Sequence, residues 1–216
     1  MTIRPAVVDN HCGACFLHDI SPFRELFSCM KVIVDNDTQV LATNPYWDYA
    51  RDMYDLPDGS RAPYYYVRSR GSVVAIPRCS DGNFIVVRQY RHLARKFGVE
   101  FPGGGRKQGC TAEESARGEL REEAGITEAK LLPIGKFYPC VGIADEECAV
   151  FVADVAAMQA AAPERTELCE TLVVSEDNIC HFIEQGELWN GMSLAAWAVF
   201  CRWRDLSSQR LQLSLF

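Results

Sequence analysis

Residues 111–126 read TAEESARGELREEAGI and place three glutamates, Glu119, Glu122 and Glu123, at spacings of three and four. Residues at these spacings lie on one face of an α-helix. Like charges in such pairs repel each other by about 0.2–0.5 kcal/mol per pair, and the helix dipole disfavours carboxylates near the C-terminal end. A helix of this sequence therefore needs a positive partner for its acidic face.

The ends of this helix are marked by capping residues. Thr111 and Glu114 have the spacing of a capping box, which predicts that the helix begins after Thr111. Gly125 suits the left-handed conformation that commonly ends a helix. Gly118 lies in the helix interior, where glycine costs about 1 kcal/mol relative to alanine. The helix itself gives no structural reason for this glycine.

A divalent cation would supply the positive partner. Mg²⁺ takes an octahedral shell of oxygens at about 2.0–2.1 Å, usually from carboxylates, water and substrate phosphates. The preceding segment 97–109, FGVEFPGGGRKQG, is predicted to be a glycine-rich loop whose backbone can approach a metal or a diphosphate closely. These features favour cation-assisted attack of water on a phosphoanhydride. From charge spacing alone, a solvated acidic helix face flanked by arginines is the alternative.

The bulk composition limits the class of protein. The 216 residues suit one sizeable domain, or one domain with a smaller attached piece. The net charge of −7 and the pI near 5.2 argue against a nucleic-acid-binding protein. No apolar run reaches the length of a membrane span, and no signal peptide precedes the ten cysteines. We therefore expect a cytoplasmic protein with reduced thiols and no membrane partner.

Apolar and β-branched runs predict strands on both sides of the acidic helix. The runs 71–77 and 83–91 flank Asp81-Gly82, a hairpin signal. The other predicted strands are 30–37, 39–43, 64–70, 130–142, 147–155 and 168–175, and the other predicted helices are 176–191 and 192–206. This order of strands, helix, strands and helices predicts a mixed α/β sandwich.

The stretch from Gly104 to Ile126 resembles a Nudix box. The family pattern is G-x5-E-x7-R-E-U-x-E-E-x-G-U, where U is a bulky apolar residue, and it is matched in register by Gly104, Glu119, Leu120, Glu122, Glu123, Gly125 and Ile126. The resemblance implies a Nudix α/β/α sandwich with a mixed sheet over residues 71–206. It also implies a small N-terminal β region over 31–70, and it leaves 1–30 as a segment of unclear role and 207–216 as a C-terminal tail.

Two positions depart from the pattern. Cys110 stands at the first glutamate, and Gly118 stands at the arginine that helps to hold the catalytic carboxylates in this family. Arg117 and Arg121 are candidate replacements, but their helical directions differ from that of position 118 by about a quarter turn or more. We therefore expect a site that binds metal but holds its carboxylates less tightly.

The resemblance extends to the ADP-ribose pyrophosphatase group. Segment 87–91, VRQYR, and segment 100–104, EFPGG, are similar to the QYR and E-x-P-x-G motifs of that group. Val141 stands where the group has a characteristic proline, so other nucleoside diphosphate sugars stay open beside ADP-ribose as the substrate. The N-terminal β region of the group commonly supports a homodimer, which we expect here.

The resemblance assigns the metal site to four residues. The cofactor would be Mg²⁺, with Mn²⁺ as a substitute. Its ligands would be the Gly103 carbonyl, Glu119, Glu122 and Glu123.

Catalysis and substrate binding are assigned in the same way. The catalytic residues would be Glu122, Glu123 and Glu146, and the substrate-binding residues would be Arg91, Glu100 and Gly104. Glu146 would be the general base, with Glu147 as second choice, although an ordinary acidic turn explains it equally well. Arg91 would clamp a phosphate or be a surface charge at a strand end. Trp47, Tyr64 and Tyr65 could stack on a base, but packing in the core is the preferred interpretation.

Two further hypotheses stay open. The first is a catalytically weak or inactive Nudix domain that binds nucleotides or acts as a regulatory module, which Cys110 and Gly118 motivate. The second is zinc binding by Cys12 and Cys15 in HCGAC, for which a small turn with buried thiols is the simpler explanation, since a zinc site usually needs four ligands.

Overall fold

The computed structural model describes residues 38–56, 58–158 and 169–213, and these form two β-sheets and three helices. The strands are β1 (Gln39–Thr43), β2 (Asp48–Asp55), β3 (Arg61–Arg68), β4 (Ser72–Arg78), β5 (Phe84–Arg91), β6 (Lys96–Glu100), β7 (Gly103–Gly105), β8 (Ile126–Phe137), β9 (Cys148–Met158) and β10 (Cys169–Val174). The helices are α1 (Ala112–Ala124), α2 (Glu176–Glu184) and α3 (Gly191–Leu213).

The N-terminal β region is a three-stranded antiparallel sheet in the order β1-β2-β3. The predicted strand at 39–43 is confirmed. The predicted strand at 30–37 lies outside the described residues, and β1 pairs with β2. Strand β2 was not predicted, because its polar residues and its aromatics resembled turn chemistry. The turn that follows it is confirmed by the positive φ of Gly59, 82°.

The main sheet has seven strands, with the path β10-β5-β4-β9-β8, and β6 and β7 pair with β5 and β4. Strands β4 and β9 run parallel and the other pairs run antiparallel, so the sheet is mixed. The prediction of an α/β fold with a mixed sheet is confirmed.

The predicted hairpin between β4 and β5 is confirmed, although the two strands form only a short ladder. Gly82 has a φ of 88°, and the N–H of Cys79 donates to the carbonyl of Asn83 at 2.8 Å. The two strands nevertheless pair only at Arg78 and Phe84. They diverge because each finds other partners: β5 lies between β10 and β6, whereas β4 lies between β9 and β7.

The alternating residues of β4 and β5 face two separate cores, as the two-residue period of a strand requires. Val73 and Ile85 pack with Leu120 of α1. Val74 and Phe84 pack on the other face, in a cluster completed by α2 and α3 through Ile179, Trp197 and Phe200. One helix on one face and two on the other make the α/β/α sandwich that was expected.

The segment 97–109, predicted to be a loop, instead contains the end of β6 and all of β7. Strand β7 consists of three glycines that pair with Ser72–Val74 of β4. A Cβ on Gly103 would lie 2.4 Å from the carbonyl oxygen of Val73, so only glycine permits this approach. The glycines are therefore part of the sheet edge beside α1.

Both predicted caps of α1 are confirmed. The hydroxyl of Thr111 accepts the N–H of Glu114 at 3.1 Å, and the Glu114 carboxylate accepts the N–H of Thr111 at 2.7 Å. Gly125 follows the helix with a φ of 66°.

The C-terminal helices differ from their predicted lengths. Helix α2 ends at Glu184, and Gly186 follows with a φ of 68°. Helix α3 continues to Leu213 rather than ending at 206, because no glycine or proline interrupts SSQRLQL. The first seven residues of the predicted C-terminal tail therefore belong to this helix. Within the described chain, no helix combines the length and the apolar character needed to span a bilayer.

Candidate active site

Glu123 connects helix α1 to the glycine strand. Its side chain is buried, with 2% of the residue exposed. Its Oε2 accepts the N–H of Gly103 at 2.9 Å, and its Oε1 lies 3.4 Å from the Nε2 of Gln89 on β5. The acidic face of α1 therefore points into the protein, which rules out the solvated face considered above.

Glu119 lies one helical turn before Glu123 and is 9% exposed. A Cβ on Gly104 would lie 2.8 Å from Oε1 of Glu119 and 2.9 Å from its carboxyl carbon. Any other residue at position 104 would push this carboxylate away. Glu119 and Glu123 thus face Gly104 and Gly103 in register.

Glu122 has different contacts from Glu119 and Glu123. Its Oε1 and Oε2 accept hydrogen bonds from the Nζ of Lys107 at 2.8 and 2.6 Å. Arg121 approaches it only to 3.6 Å, and Arg117 is directed to Glu113 and to the carbonyl of Ala129. Neither Arg117 nor Arg121 therefore replaces the family's arginine at position 118.

The partner of Glu122 was missed by sequence reasoning. Lys107 lies in the segment before α1, eleven residues from Gly118. The only signal was Gly118 itself, since a helix position without a side chain leaves space for a side chain from elsewhere.

Arg91 and Glu100 form an ion pair in which the carboxylate is buried and the guanidinium is partly exposed. Glu100 is 2% exposed, and its carboxylate accepts two hydrogen bonds from the Arg91 guanidinium, one of them from Nε at 2.9 Å. The Nδ2 of Asn190 donates to the same carboxylate at 2.6 Å. The bidentate geometry fixes the plane of the guanidinium. Glu100 therefore holds Arg91, and its own oxygens are occupied by protein donors.

Most of the residues predicted for the site line a cavity of about 220 Å³. Its lining includes Arg91, Glu100, Gly103, Gly104 and Glu146. Gly103 and Gly104 line this cavity and also adjoin the carboxylates of Glu123 and Glu119. Residues from β5, β6, β7 and the loop before β9 thus meet at one place.

Of the two candidate general bases, only Glu146 lines this cavity. Glu147 instead accepts hydrogen bonds from the Nζ of Lys136 at 2.6 Å and the hydroxyl of Tyr138 at 2.8 Å, and these bonds lower its pKa. The loop is tied to the N-terminal sheet, because the N–H of Ser69 donates to Oδ1 of Asp145 at 2.7 Å. Because Asp145 directly precedes Glu146, this hydrogen bond restrains the backbone that carries Glu146.

None of the three aromatic residues considered for base stacking or core packing is buried in the core. Trp47, Tyr64 and Tyr65 are 45%, 43% and 49% exposed and do not line the cavity. Tyr64 donates its hydroxyl proton to the carbonyl of Gly142 at 2.8 Å, and Tyr65 stacks on Tyr49. The preference for core packing was wrong, because the thin N-terminal sheet leaves these side chains on its surface.

The donor set beside the cavity suits a hard divalent cation in part. Within the described residues, no three His, Cys, Asp or Glu side chains converge on one point. Two buried carboxylates and a glycine backbone nevertheless adjoin each other, and Mg²⁺ characteristically takes one or two carboxylates and completes its shell with water and substrate phosphates. The residues present therefore fit Mg²⁺ or Mn²⁺ better than a structural zinc. Cys12 and Cys15 lie outside the described residues.

The NUDIX domain family model matches residues 68–191. The chain is 30% identical over 150 residues to the ADP-ribose pyrophosphatase of Bacillus subtilis (strain 168), covering 68% of this chain and 80% of that protein. It is 26% identical over 147 residues to the methanol dehydrogenase activator of Bacillus methanolicus, covering 67% of this chain and 80% of that protein.

The fold is similar to that of a solved structure described as an ADP compounds hydrolase. The TM-score is 0.67 at 16% identity, over 83% of this chain and 96% of that one. The family match spans the sheet, the glycine strand and the acidic helix described above. The chain therefore belongs to the NUDIX family and is a pyrophosphohydrolase similar to the ADP-ribose pyrophosphatases.

Proposed function

We propose that this enzyme hydrolyses the diphosphate bond of ADP-ribose or a related nucleoside diphosphate sugar, giving a nucleoside monophosphate and a sugar phosphate. The similarity to the Bacillus subtilis ADP-ribose pyrophosphatase supports this choice of substrate. One observation carries the proposal: the buried Glu119 and Glu123 adjoin the glycine strand, and glycines of that strand line a cavity with Arg91 and Glu146.

The cofactor we propose is Mg²⁺, with Mn²⁺ as a substitute. The carbonyl of Gly103, Glu119 and Glu123 would hold it, and Glu122 would join through the metal or through water. A cation bound there would lower the pKa of water and would offset the charge that develops on the phosphoryl oxygens. The hydrogen bond from Gly103 to Glu123 keeps one carboxylate oriented before any ligand binds.

Arg91 is proposed to clamp the diphosphate. Glu100, whose carboxylate also accepts a hydrogen bond from Asn190, holds the Arg91 guanidinium at the cavity, and 40% of the arginine side chain stays exposed. A guanidinium fixed in this way can donate to phosphate oxygens without losing much conformational freedom. Glu100, whose buried carboxylate orients Arg91, would thus act on the substrate only through the arginine.

Glu146 is proposed as the general base. Water attacks one phosphorus, its proton passes to the Glu146 carboxylate, and the bond from that phosphorus to the bridging oxygen breaks. The leaving monophosphate carries away the electron pair of that bond. A positioned general base contributes about 10²–10⁴ in rate.

The test is a hydrolysis screen over nucleoside diphosphate compounds with Mg²⁺ varied. We expect AMP and a sugar phosphate from ADP-ribose, only when the cation is present. Glu123→Gln should lower kcat by about 10²-fold or more, since it weakens both the charge and the orientation of the site. Glu113→Gln, whose side chain is exposed on the same helix, is the matched control. Absence of turnover for every nucleoside diphosphate at every metal concentration would refute the proposal.

The alternative of a binding-only module is less well supported. Cys110 and Gly118 motivated it, but the three glutamates at the end of the box are present, and two of them are buried against the glycine strand. Nucleotide binding in calorimetry without cleavage would be the result that favours it.

We also propose a homodimer in the cytoplasm. The N-terminal sheet and its β1–β2 turn expose several large apolar side chains, and exposed apolar surface of this kind commonly marks an interface. These side chains are Val40, Leu41, Tyr46, Trp47, Tyr49 and Tyr65. The cysteines of the described residues are free thiols, which suits a reducing compartment. The mass from light scattering tests the dimer, and a monomer mass at high concentration would contradict it.

A further inference from the structure

Lys107 and Glu122 form an ion pair beside the backbone of Gly118. The Nζ of Lys107 lies 2.8 and 2.6 Å from the two carboxylate oxygens of Glu122. A Cβ built on Gly118 would lie 3.6 Å from that Nζ and 3.8 Å from Oε1 of Glu122. The ion pair therefore occupies the space that a longer side chain at position 118 would fill.

The backbone of Lys107 is held against the start of the same helix. Its N–H donates to Oγ of Ser115 at 3.3 Å, and its carbonyl accepts the N–H of Cys110 at 3.1 Å. Ser115 is buried, and its hydroxyl donates to the carbonyl of Thr111. Lys107 is thus anchored at the first turn of α1 while its ammonium group reaches Glu122, about 10 Å further along the axis.

We propose that Lys107 is a positioning residue that fixes the carboxylate of Glu122, in place of a side chain from position 118. This inference rests on the proposed function of the site. Glu119, Glu122 and Glu123 repel one another on one helix face, and the lysine offsets one of the three charges. Arg121 is 3.6 Å from Glu122 and Arg117 is bound elsewhere, so Lys107 lies closer to Glu122 than either arginine of this helix.

The competing role for Lys107 is direct contact with a substrate phosphate. Lys107 is not among the residues that line the 220 Å³ cavity. A residue that acts only through Glu122 should have no effect once Glu122 has lost its charge, whereas a phosphate contact would act independently. The two roles therefore differ in the kinetics of a double variant.

The kinetic test compares Lys107→Met, Glu122→Gln and the double variant in the full chain with ADP-ribose and Mg²⁺. We expect Lys107→Met to lower kcat by about tenfold and to leave KM within about twofold. The double variant should have the kcat of Glu122→Gln. Independent, multiplying effects, or a tenfold rise in KM for Lys107→Met, would overturn the proposal.

Rescue variants separate positioning from general damage. Lys107→Arg should retain at least a third of the native kcat, and Lys130→Met, which removes an exposed lysine from β8, should not lower it. Gly118→Arg added to Lys107→Met should recover kcat, because positions 118 and 122 are neighbours on the helix. A folded double variant without recovery would count against the proposal; if circular dichroism shows that it does not fold, Lys107→Arg decides.

A second test needs neither metal nor substrate. It compares the same four proteins: the native chain, Lys107→Met, Glu122→Gln and the double variant. In denaturant unfolding of the metal-free chain, the Lys107–Glu122 pair should show a coupling of about two- to fivefold in the unfolding equilibrium constant. No coupling would overturn the proposal. Coupling in a native chain that hydrolyses no nucleoside diphosphate would refute the proposed function and leave the contact between the two side chains standing.

Discussion

Gly104 leaves the space in which the carboxylate of Glu119 lies, since a Cβ at position 104 would be 2.8 Å from Oε1 of that glutamate. The glycine therefore does more than permit a tight backbone path. The missing side chain at position 104 allows the buried carboxylate of Glu119 to lie beside the glycine strand, which lines the cavity. The first prediction follows from this contact.

Gly104→Ala should lower kcat by about 10- to 100-fold, because the added methyl group displaces Glu119 by a fraction of an ångström or more. The melting temperature should change little, since the carboxylate can move. The control is Gly105→Ala, which places its Cβ in open space on the same strand and should cost much less activity. Equal losses in the two variants would show that the contact with Glu119 is not the cause.

Arg91→Lys should raise KM for ADP-ribose by about tenfold, because lysine keeps the charge but cannot bind Glu100 and a phosphate with a planar fork. Arg88→Lys is the matched control, since Arg88 is exposed on the same strand and lines no part of the cavity. Steady-state kinetics measure both. An unchanged KM in Arg91→Lys would favour the interpretation of Arg91 as a surface charge at a strand end.

Asp145→Ala should lower kcat by about tenfold with little change in KM, because the loss of the Ser69 contact loosens the loop that carries Glu146. The comparison variant is Asp154→Ala, which removes an exposed ion pair with Arg78. If Asp145→Ala retains the native kcat, the hydrogen bond between Ser69 and the Asp145 side chain does not position the general base.

Thr111→Ala should lower the free energy of unfolding by about 1 kcal/mol, the usual effect of removing an N-cap side chain. Thr111→Ser keeps the hydroxyl and should stay close to the native value. Urea unfolding monitored by circular dichroism measures both. A loss in Thr111→Ser as large as that in Thr111→Ala would point to the methyl group rather than the cap.

The same cap predicts a dependence of stability on pH. Hydrogen bonds from the backbone and side chain of Thr111 lower the pKa of Glu114 below its ordinary value of 4.5. The carboxylate therefore stabilises the folded state fully above pH 4.5 and loses this effect as the pH falls through the lower folded pKa. Thr111→Ala keeps the backbone donor and removes only the hydroxyl, so it should flatten the stability curve in this range in part. An identical slope in the native protein and the variant would contradict the assignment.

Local signals in the sequence predicted the acidic helix well. Thr111, Glu114 and Gly125 act through hydrogen bonds that reach at most four residues along the chain, so their geometry can be inferred from spacing alone. Strands with continuous β-branched runs, such as β4 and β5, were found for a similar reason. Strand β2 was missed because its residues alternate only weakly, and its pairing with β1 and β3 determines its conformation.

The sequence by itself determined the α/β class, the acidic helix with its caps, and the order of the glutamates in the box. Only the tertiary structure decided that Glu119 and Glu123 turn toward the glycine strand while Glu122 turns to Lys107. The physical reason is distance along the chain. Helix periodicity and capping involve close neighbours along the chain, whereas the contacts of Glu119 and Glu123 with the glycine strand join residues that are brought together by packing α1 against the sheet.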